Sequence, residues 1–155
     1  MSHYIFLQFF IIANLHLKMY GLFVSNLASY IISNYGQNIW DEIRMYSNTD
    51  SPTFVLHQLY PDQLLDKLTK GTCRKIGTKK SILLENIGFH FVEYIGQFGY
   101  DKIMSRLGRN IVDFLNGLDN LHECLKFSYP KLQPPSYFCD NETENGFFLH
   151  YMSKR

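Results

Sequence analysis

Residues 109–126 carry an apolar stripe made of Ile111, Phe114, Leu115, Leu118, Leu121 and Leu125. The spacing of three and four residues turns into a single face only on an α-helix. His122 falls inside that stripe, four residues after Leu118 and three before Leu125, so its side chain points at the core. Tyr129-Pro130 ends the helix, because the residue before a proline is driven out of helical geometry. Pro134-Pro135 then forces an extended connection. Ser136 to Cys139 reads as a strand, Asp140 to Gly146 as a polar turn, and Phe147 to Met152 as a second strand of an antiparallel hairpin. The pattern alone leaves two readings of His122: a core histidine whose ring nitrogens find local partners, or a ligand presented from a helix into an apolar cleft.

The rest of the chain is mostly helical in pattern. From Met19, the positions Leu22, Phe23, Leu27, Tyr30 and Ile31 keep helical spacing up to Asn34-Tyr35-Gly36, where Gly36 suits a helix C-terminus. A second helix is expected over 37–45, a brief strand over 53–59, and a helix from Pro61 to about Leu68. Residues 67–80 hold Lys67, Lys70, Arg74, Lys75, Lys79 and Lys80, and read as a solvated loop in preference to a phosphate or membrane patch. A longer helix follows over 80–98, closed by Gly99, and then a short one over 100–107. Helices followed by a hairpin make an α+β plan: a mostly helical N-terminal part packed on a C-terminal antiparallel sheet. Two strands are marginal by themselves, so the sheet reads as truncated.

Length and composition narrow the function classes. A chain of 155 residues fits one domain. A net charge of +1 gives no footprint for nucleic acid. Three cysteines, Cys73, Cys124 and Cys139, form no CxxC pair, which points away from a disulfide framework and toward a reducing, cytoplasmic setting. Residues 4–15 are nearly all apolar, too few to span a bilayer as a helix. They also lack the basic start and small-residue cleavage site of a signal peptide. Residues 1–18 therefore read as an extension outside the domain, with Met19 as a sensible second start, and no membrane role is expected. The remote alternative is a secreted or membrane-inserted chain led by this segment. Asn141-Glu142-Thr143 matches a glycosylation sequon, which has meaning only in a secreted chain.

A second group of residues could carry chemistry. In an extended segment Tyr151, Ser153 and Arg155 share one face. A phenol, a hydroxyl and a guanidinium in a row can hold paired carboxylates, and they can equally be an ordinary solvent-facing strand. The other histidines offer less: His57, His90 and His150 show no common ligand spacing. His122 and Cys124 sit about 200° apart around a helix and cannot share a metal. Neither a Ser-His-Asp nor a phosphate-loop signature is present.

Several blocks in order resemble one family: Met19-Tyr20-Gly21, Asn34-Tyr35-Gly36 followed by Trp40, Gly99-Tyr100-Asp101, and Leu118-Asp119-Asn120-Leu121-His122. Tyr129-Pro130, Pro135-Ser136-Tyr137 and the Tyr-x-Ser-x-Arg motif at Tyr151, Ser153 and Arg155 continue the series. Over residues 19–155 the chain is similar to the H-NOX or haem-NO-binding domain that opens β-type subunits of soluble guanylate cyclase. Its wording is nearest to the invertebrate atypical β subunits. The resemblance implies haem b in a cleft between the helices and the sheet, with His122 as the axial iron ligand. It assigns Tyr151, Ser153 and Arg155 to the propionates and Pro135 to contact with the haem. It also places Phe23, Phe91, Phe114 and Leu118 at pocket-lining positions, where each can also be simple core.

The function so implied is sensing of a diatomic gas, nitric oxide and also oxygen or carbon monoxide, not catalysis. In the family the gas acts on the iron–histidine bond, and the helix bearing that histidine relays the change to other guanylate cyclase domains or subunits, regulating cGMP synthesis. Two departures stand beside the match. The family's domain continues beyond its Tyr-x-Ser-x-Arg motif with further strands, and residues 71–77 match it poorly. The alternative is a haem-free truncated fragment or interaction module.

Overall fold

The computed structural model describes residues 19–49, 51–127, 130–131 and 134–152. The chain divides into two compact units that part after Tyr94. The first unit begins with a two-residue strand, β1 (Met19–Tyr20), paired antiparallel with β2 (Leu59–Tyr60). Helix α1 (Gly21–Tyr35) starts directly from β1. Gly21 N donates to Gln58 O at 2.8 Å and Leu22 N to Leu56 O at 3.0 Å, so the loop before β2 satisfies the first open donors of the helix. A Cβ on Gly21 would meet Val55 O at 2.1 Å, and only glycine admits this approach. Of the strand expected over 53–59, only its last residue is in a strand. Most of the segment is spent in the turns that cap α1.

Gly36, with φ +90°, separates α1 from α2 (Gln37–Tyr46). Its N–H also closes the end of α1 on Ile32 O at 3.0 Å. Helix α3 (Asp62–Ile76) corrects the reading of residues 67–80 as a loop. It runs two turns further than expected and ends at Gly77 in left-handed geometry. The cause is a buried face of Leu65, Leu68, Thr69, Gly71 and Thr72 beneath a basic outer face. On that outer face the charges find partners: Lys70 and Lys80 reach Asp66 at 2.6 and 3.0 Å, Lys75 pairs with Glu42, and Arg74 lies over the Tyr46 ring at 5.5 Å. Pro61 sits one position before the first helical residue. The core joins Val24, Leu27 and Ile31 of α1, Trp40 and Ile43 of α2, Leu65 and Leu68 of α3, and Leu83 and Ile87 of α4 (Lys80–Gly96), together with Phe54 from the segment before β2.

The second unit holds α5 (Tyr100–Met104), α6 (Ile111–Leu125) and a hairpin of β3 (Ser136–Thr143) and β4 (Gly146–Met152). Asn110 caps α6 by accepting Asp113 N at 2.8 Å. Val112, Leu115, Leu118 and Leu121 bury one face of α6. In the hairpin Tyr137 opposes Tyr151 and Phe138 opposes His150. The turn is shorter than the sequence suggested. Only Glu144 and Asn145 lie between the strands, and an extra residue at Asn141, with φ +49°, is absorbed as a bulge. Among the described residues, no helix is long and apolar enough to cross a membrane.

Candidate functional site

His122 stands on the last turn of α6, with its side chain about one-fifth exposed. Its Nδ1 is buried and makes no hydrogen bond of proper geometry. Asp119 Oδ1, one helical turn back, lies 4.0 Å away. Burial pushes the imidazole below the ordinary histidine range; the Asp119 carboxylate and then the Pro135 carbonyl work in the opposite direction. The ring is therefore neutral at neutral pH and keeps a lone pair. An imidazole whose Nδ1 lies beside a carboxylate presents Nε2 on its other edge, where a neutral ring has a lone pair that can ligate a metal.

Three further groups surround the ring. The Tyr137 ring, almost fully buried, lies 6.0 Å from His122 by centroids, and the Tyr151 ring lies 5.5 Å beyond it. Burial raises the Tyr137 phenol well above the usual tyrosine range, helped by Tyr151 and Asp119. Pro135 is buried immediately before β3. Two side chains of α6 fix the strand: Asp119 Oδ1 accepts Tyr137 N at 3.3 Å, and Asn116 Oδ1 accepts Cys139 N at 2.8 Å. These N–H groups point away from β4, and the helix supplies the acceptors that a third strand would otherwise provide. Sequence reading gave no role to Asn116, or to Asp119 beyond its place in a family block. The available signal was two side-chain acceptors three residues apart on α6, the second one turn before His122.

Of the residues singled out from sequence, His122, Leu118, Phe114, Pro135 and Tyr151 all belong to the second unit. Leu118 is buried and Phe114 half-buried on the face of α6 that bears His122. Tyr151 shares the strand face of Tyr137, its register partner. Ser153 and Arg155 lie outside the described residues. Phe23 and Phe91 belong to the first unit, where their half-buried rings stack 5.3 Å apart at 10°. The donor set suits a haem: one neutral imidazole, apolar side chains along its helix, and a phenol on the strand facing it.

Known proteins resemble this chain in sequence and in fold. The sequence profile of the family described as Haem-NO-binding matches residues 20–155. Soluble guanylate cyclase gcy-31 of Caenorhabditis elegans is 40% identical over 137 residues, which are 88% of this chain and 20% of that protein. Soluble guanylate cyclase 89Da of Drosophila melanogaster is 32% identical over the same shares. The chain thus spans about a fifth of the length of these invertebrate relatives. Among solved structures, the Fe(II) unliganded H-NOX protein from K. algicida superposes with a TM-score of 0.73 at 17% identity, covering 88% of this chain and 74% of that one. An oxygen-binding H-NOX domain related to soluble guanylate cyclases, solved as its oxygen complex, gives 0.67 at 19%, covering 88% and 72%. At such identities the likeness is one of fold, and it bears out the α+β plan.

Proposed function

This chain belongs to the haem-NO-binding family, and on that premise we propose that residues 19–155 form a gas-sensor domain that holds haem b through His122. The observation that carries the proposal is the buried, neutral imidazole of His122 backed by the Asp119 carboxylate at 4.0 Å. When bound, the haem iron supplies a coordination position for a diatomic gas such as nitric oxide, oxygen or carbon monoxide. Tyr151, with Ser153 and Arg155, would hold the two propionates. Pro135 would contact the porphyrin and Phe114 and Leu118 would shelter it from water, and the family resemblance gives Phe23 and Phe91 the same lining role.

The chain's own residues supply the relay. His122 and Asp119 share one turn of α6, and Asp119 also holds the β3 backbone through Tyr137 N. A displacement of His122 would reach the hairpin through the turn of α6 that it shares with Asp119. In a longer protein with a guanylate cyclase domain, or in a partner subunit that has one, this two-state element would set the rate of cGMP synthesis in the cytoplasm. The sensor itself performs no catalysis.

Absorbance spectroscopy of the chain expressed from Met19, reduced and exposed to nitric oxide, tests the assignment. A Soret band that shifts with the gas is expected. His122→Gly should lose the band and regain it with added imidazole. A Soret band unchanged in His122→Gly overturns His122 as ligand, and no band after haem is supplied overturns haem binding by this chain.

A further inference from the structure

We propose that residues 4–15, the apolar run ahead of the domain, fold back and cover the outer face of α4. That helix is apolar on two sides. Leu83, Ile87, Tyr94 and Ile95 bury its inner side. On the opposite side Ile82, Glu85, Phe89, Val92 and Gly96 fall within about 80° of arc at 3.6 residues per turn. Ile82, Phe89 and Val92 are large and apolar, and they stand 47%, 40% and 38% exposed. A row of apolar side chains open to water, on a helix already buried along its other side, marks a surface that a further element covers.

Reach selects the occupant. Residues 1–18 lie outside the described residues, and the family profile begins only at residue 20, so this segment is an addition to the matched domain. It joins β1 at Met19, and β1 runs directly into α1. Phe23, near the start of α1, stacks on Phe91 at 5.3 Å, and Asn26 donates its Nδ2 to Ile87 O at 3.2 Å. The two helices are therefore antiparallel, and the segment enters the fold beside the C-terminal half of α4. From Val92 back to Ile82 the row is about 15 Å long, while residues 4–15 reach about 18 Å even if wound as a helix.

Composition points the same way. Only Gln8 and Asn14 are polar within residues 4–15. Residues 1–18 contain no acid and carry Lys18, whereas the row on α4 holds Glu85 and is bordered by Glu93. The other exposed apolar groups suit the segment less. Met45 and Tyr46 close the last turn of α2 beside the basic face of α3, with Arg74 over the Tyr46 ring. Phe138, Phe148 and Met152 belong to the second unit. A chain begun at Met19 would lack the cover and present the row on α4 to other proteins.

Urea unfolding of the haem-free full chain tests the contact through a double-mutant cycle, whatever the outcome for haem. One arm is Val92→Gln. The other makes the run polar on every side, with Phe6→Gln, Phe9→Gln, Ile11→Gln and Ile12→Gln together. Each arm is expected to shift the unfolding equilibrium on the order of tenfold, the loss of one buried apolar side chain or more. The two combined should cost little beyond the larger, because both remove the same contact. On an open helix surface Val92→Gln would change the equilibrium by no more than about twofold. A change that small, or fully additive losses, overturns the proposal.

A second readout is independent of stability. The thiol of Val92→Cys is labelled with a maleimide and located by mass spectrometry, with the exposed Cys124 as internal reference. The four segment substitutions should speed labelling at position 92 several-fold and leave Cys124 unchanged; equal rates at position 92 overturn the cover. Sedimentation that finds protection only in a dimer would assign the row on α4 to a second copy. Flotation of the full chain with phosphatidylserine vesicles, lost in the segment variant while labelling at position 92 stays the same, would assign the segment to a lipid surface. Either result overturns the proposal.

Discussion

Asp119 ties α6 to β3 by accepting the backbone N–H of Tyr137 at 3.3 Å, while the same oxygen stands 4.0 Å from His122 Nδ1. One carboxylate therefore bonds a strand backbone and stands beside an imidazole. Asn116, three residues earlier, repeats the strand contact at Cys139. The hairpin is thus held to the helix by side-chain acceptors as well as by apolar packing.

Removal of the Asp119 carboxylate separates these two roles. Asp119→Ala leaves Tyr137 N without its acceptor in a largely buried position, and the expected cost is about 1–2 kcal/mol in urea unfolding. Asp119→Asn retains a carbonyl oxygen that can accept the same N–H, so it should lose less than half of that. Equal losses in the two variants would show that the hydrogen bond does not carry the stability.

The basic outer face of α3 should behave as a set of exposed ion pairs. The Lys70 ammonium and then that of Lys80 hold the Asp66 carboxyl below the usual carboxylate range. A depressed carboxylate adds stability above its unfolded value, about 3.9, which is lost as pH falls through the folded one. Asp66 is more than one-third exposed, so solvent and salt screen the pairs. Asp66→Asn is expected to cost less than about 1 kcal/mol at pH 7 and low salt. The difference should vanish near pH 2 and shrink in 1 M salt. A loss that persists at pH 2 would assign Asp66 a packing role instead.

How far the fold could be read from sequence depended on whether charge and apolarity told the same story. In α6 they did: a continuous stripe and the prolines beyond it marked the helix, and His122 stood out as the polar member of an apolar face. In α3 they did not. Lys70, Arg74 and Lys75 crowd the outer face, and Gly71 resembles a break, so the buried Leu68, Thr72 and half-buried Ile76 on the other side were hidden. The strand contacts of Asn116 and Asp119 were illegible for a different reason: they depend on residues about 20 positions away in sequence. The two-residue turn was masked by the polar Asp140, Asn141, Glu142 and Thr143, which belong to the bulged strand.

Gly71 gives that lesson a direct test. A Cβ there would meet Ser47 Oγ at 2.9 Å, with Tyr46 and Ile43 at 3.4 and 3.5 Å. The glycine therefore marks a close approach of α3 to the end of α2, not a loop. Gly71→Val should destabilise by about 1–3 kcal/mol through overpacking. Gly96 is a helical control whose nearest foreign atom would be Asp101 Cβ at 3.8 Å. Gly96→Ala should be neutral or mildly stabilising, since alanine is the better helix former. Comparable melting points for Gly71→Val and the natural chain would contradict the close packing.

Leu118 separates core from pocket. It is buried on α6 four residues before His122. If its contacts are those of ordinary core, Leu118→Ala should cost the haem-free chain about 2–4 kcal/mol, the usual penalty for a large-to-small change at a packed site. If its side chain chiefly lines the haem pocket, the haem-free chain should lose far less, and the loss should appear as faster haem transfer to an acceptor protein. Its position on the central line of the buried face, between Leu115 and Leu121, predicts the first outcome. Chemical unfolding of the haem-free natural chain and variant decides between them: a difference under about 1 kcal/mol would move Leu118 from the core of the second unit to the wall of the pocket.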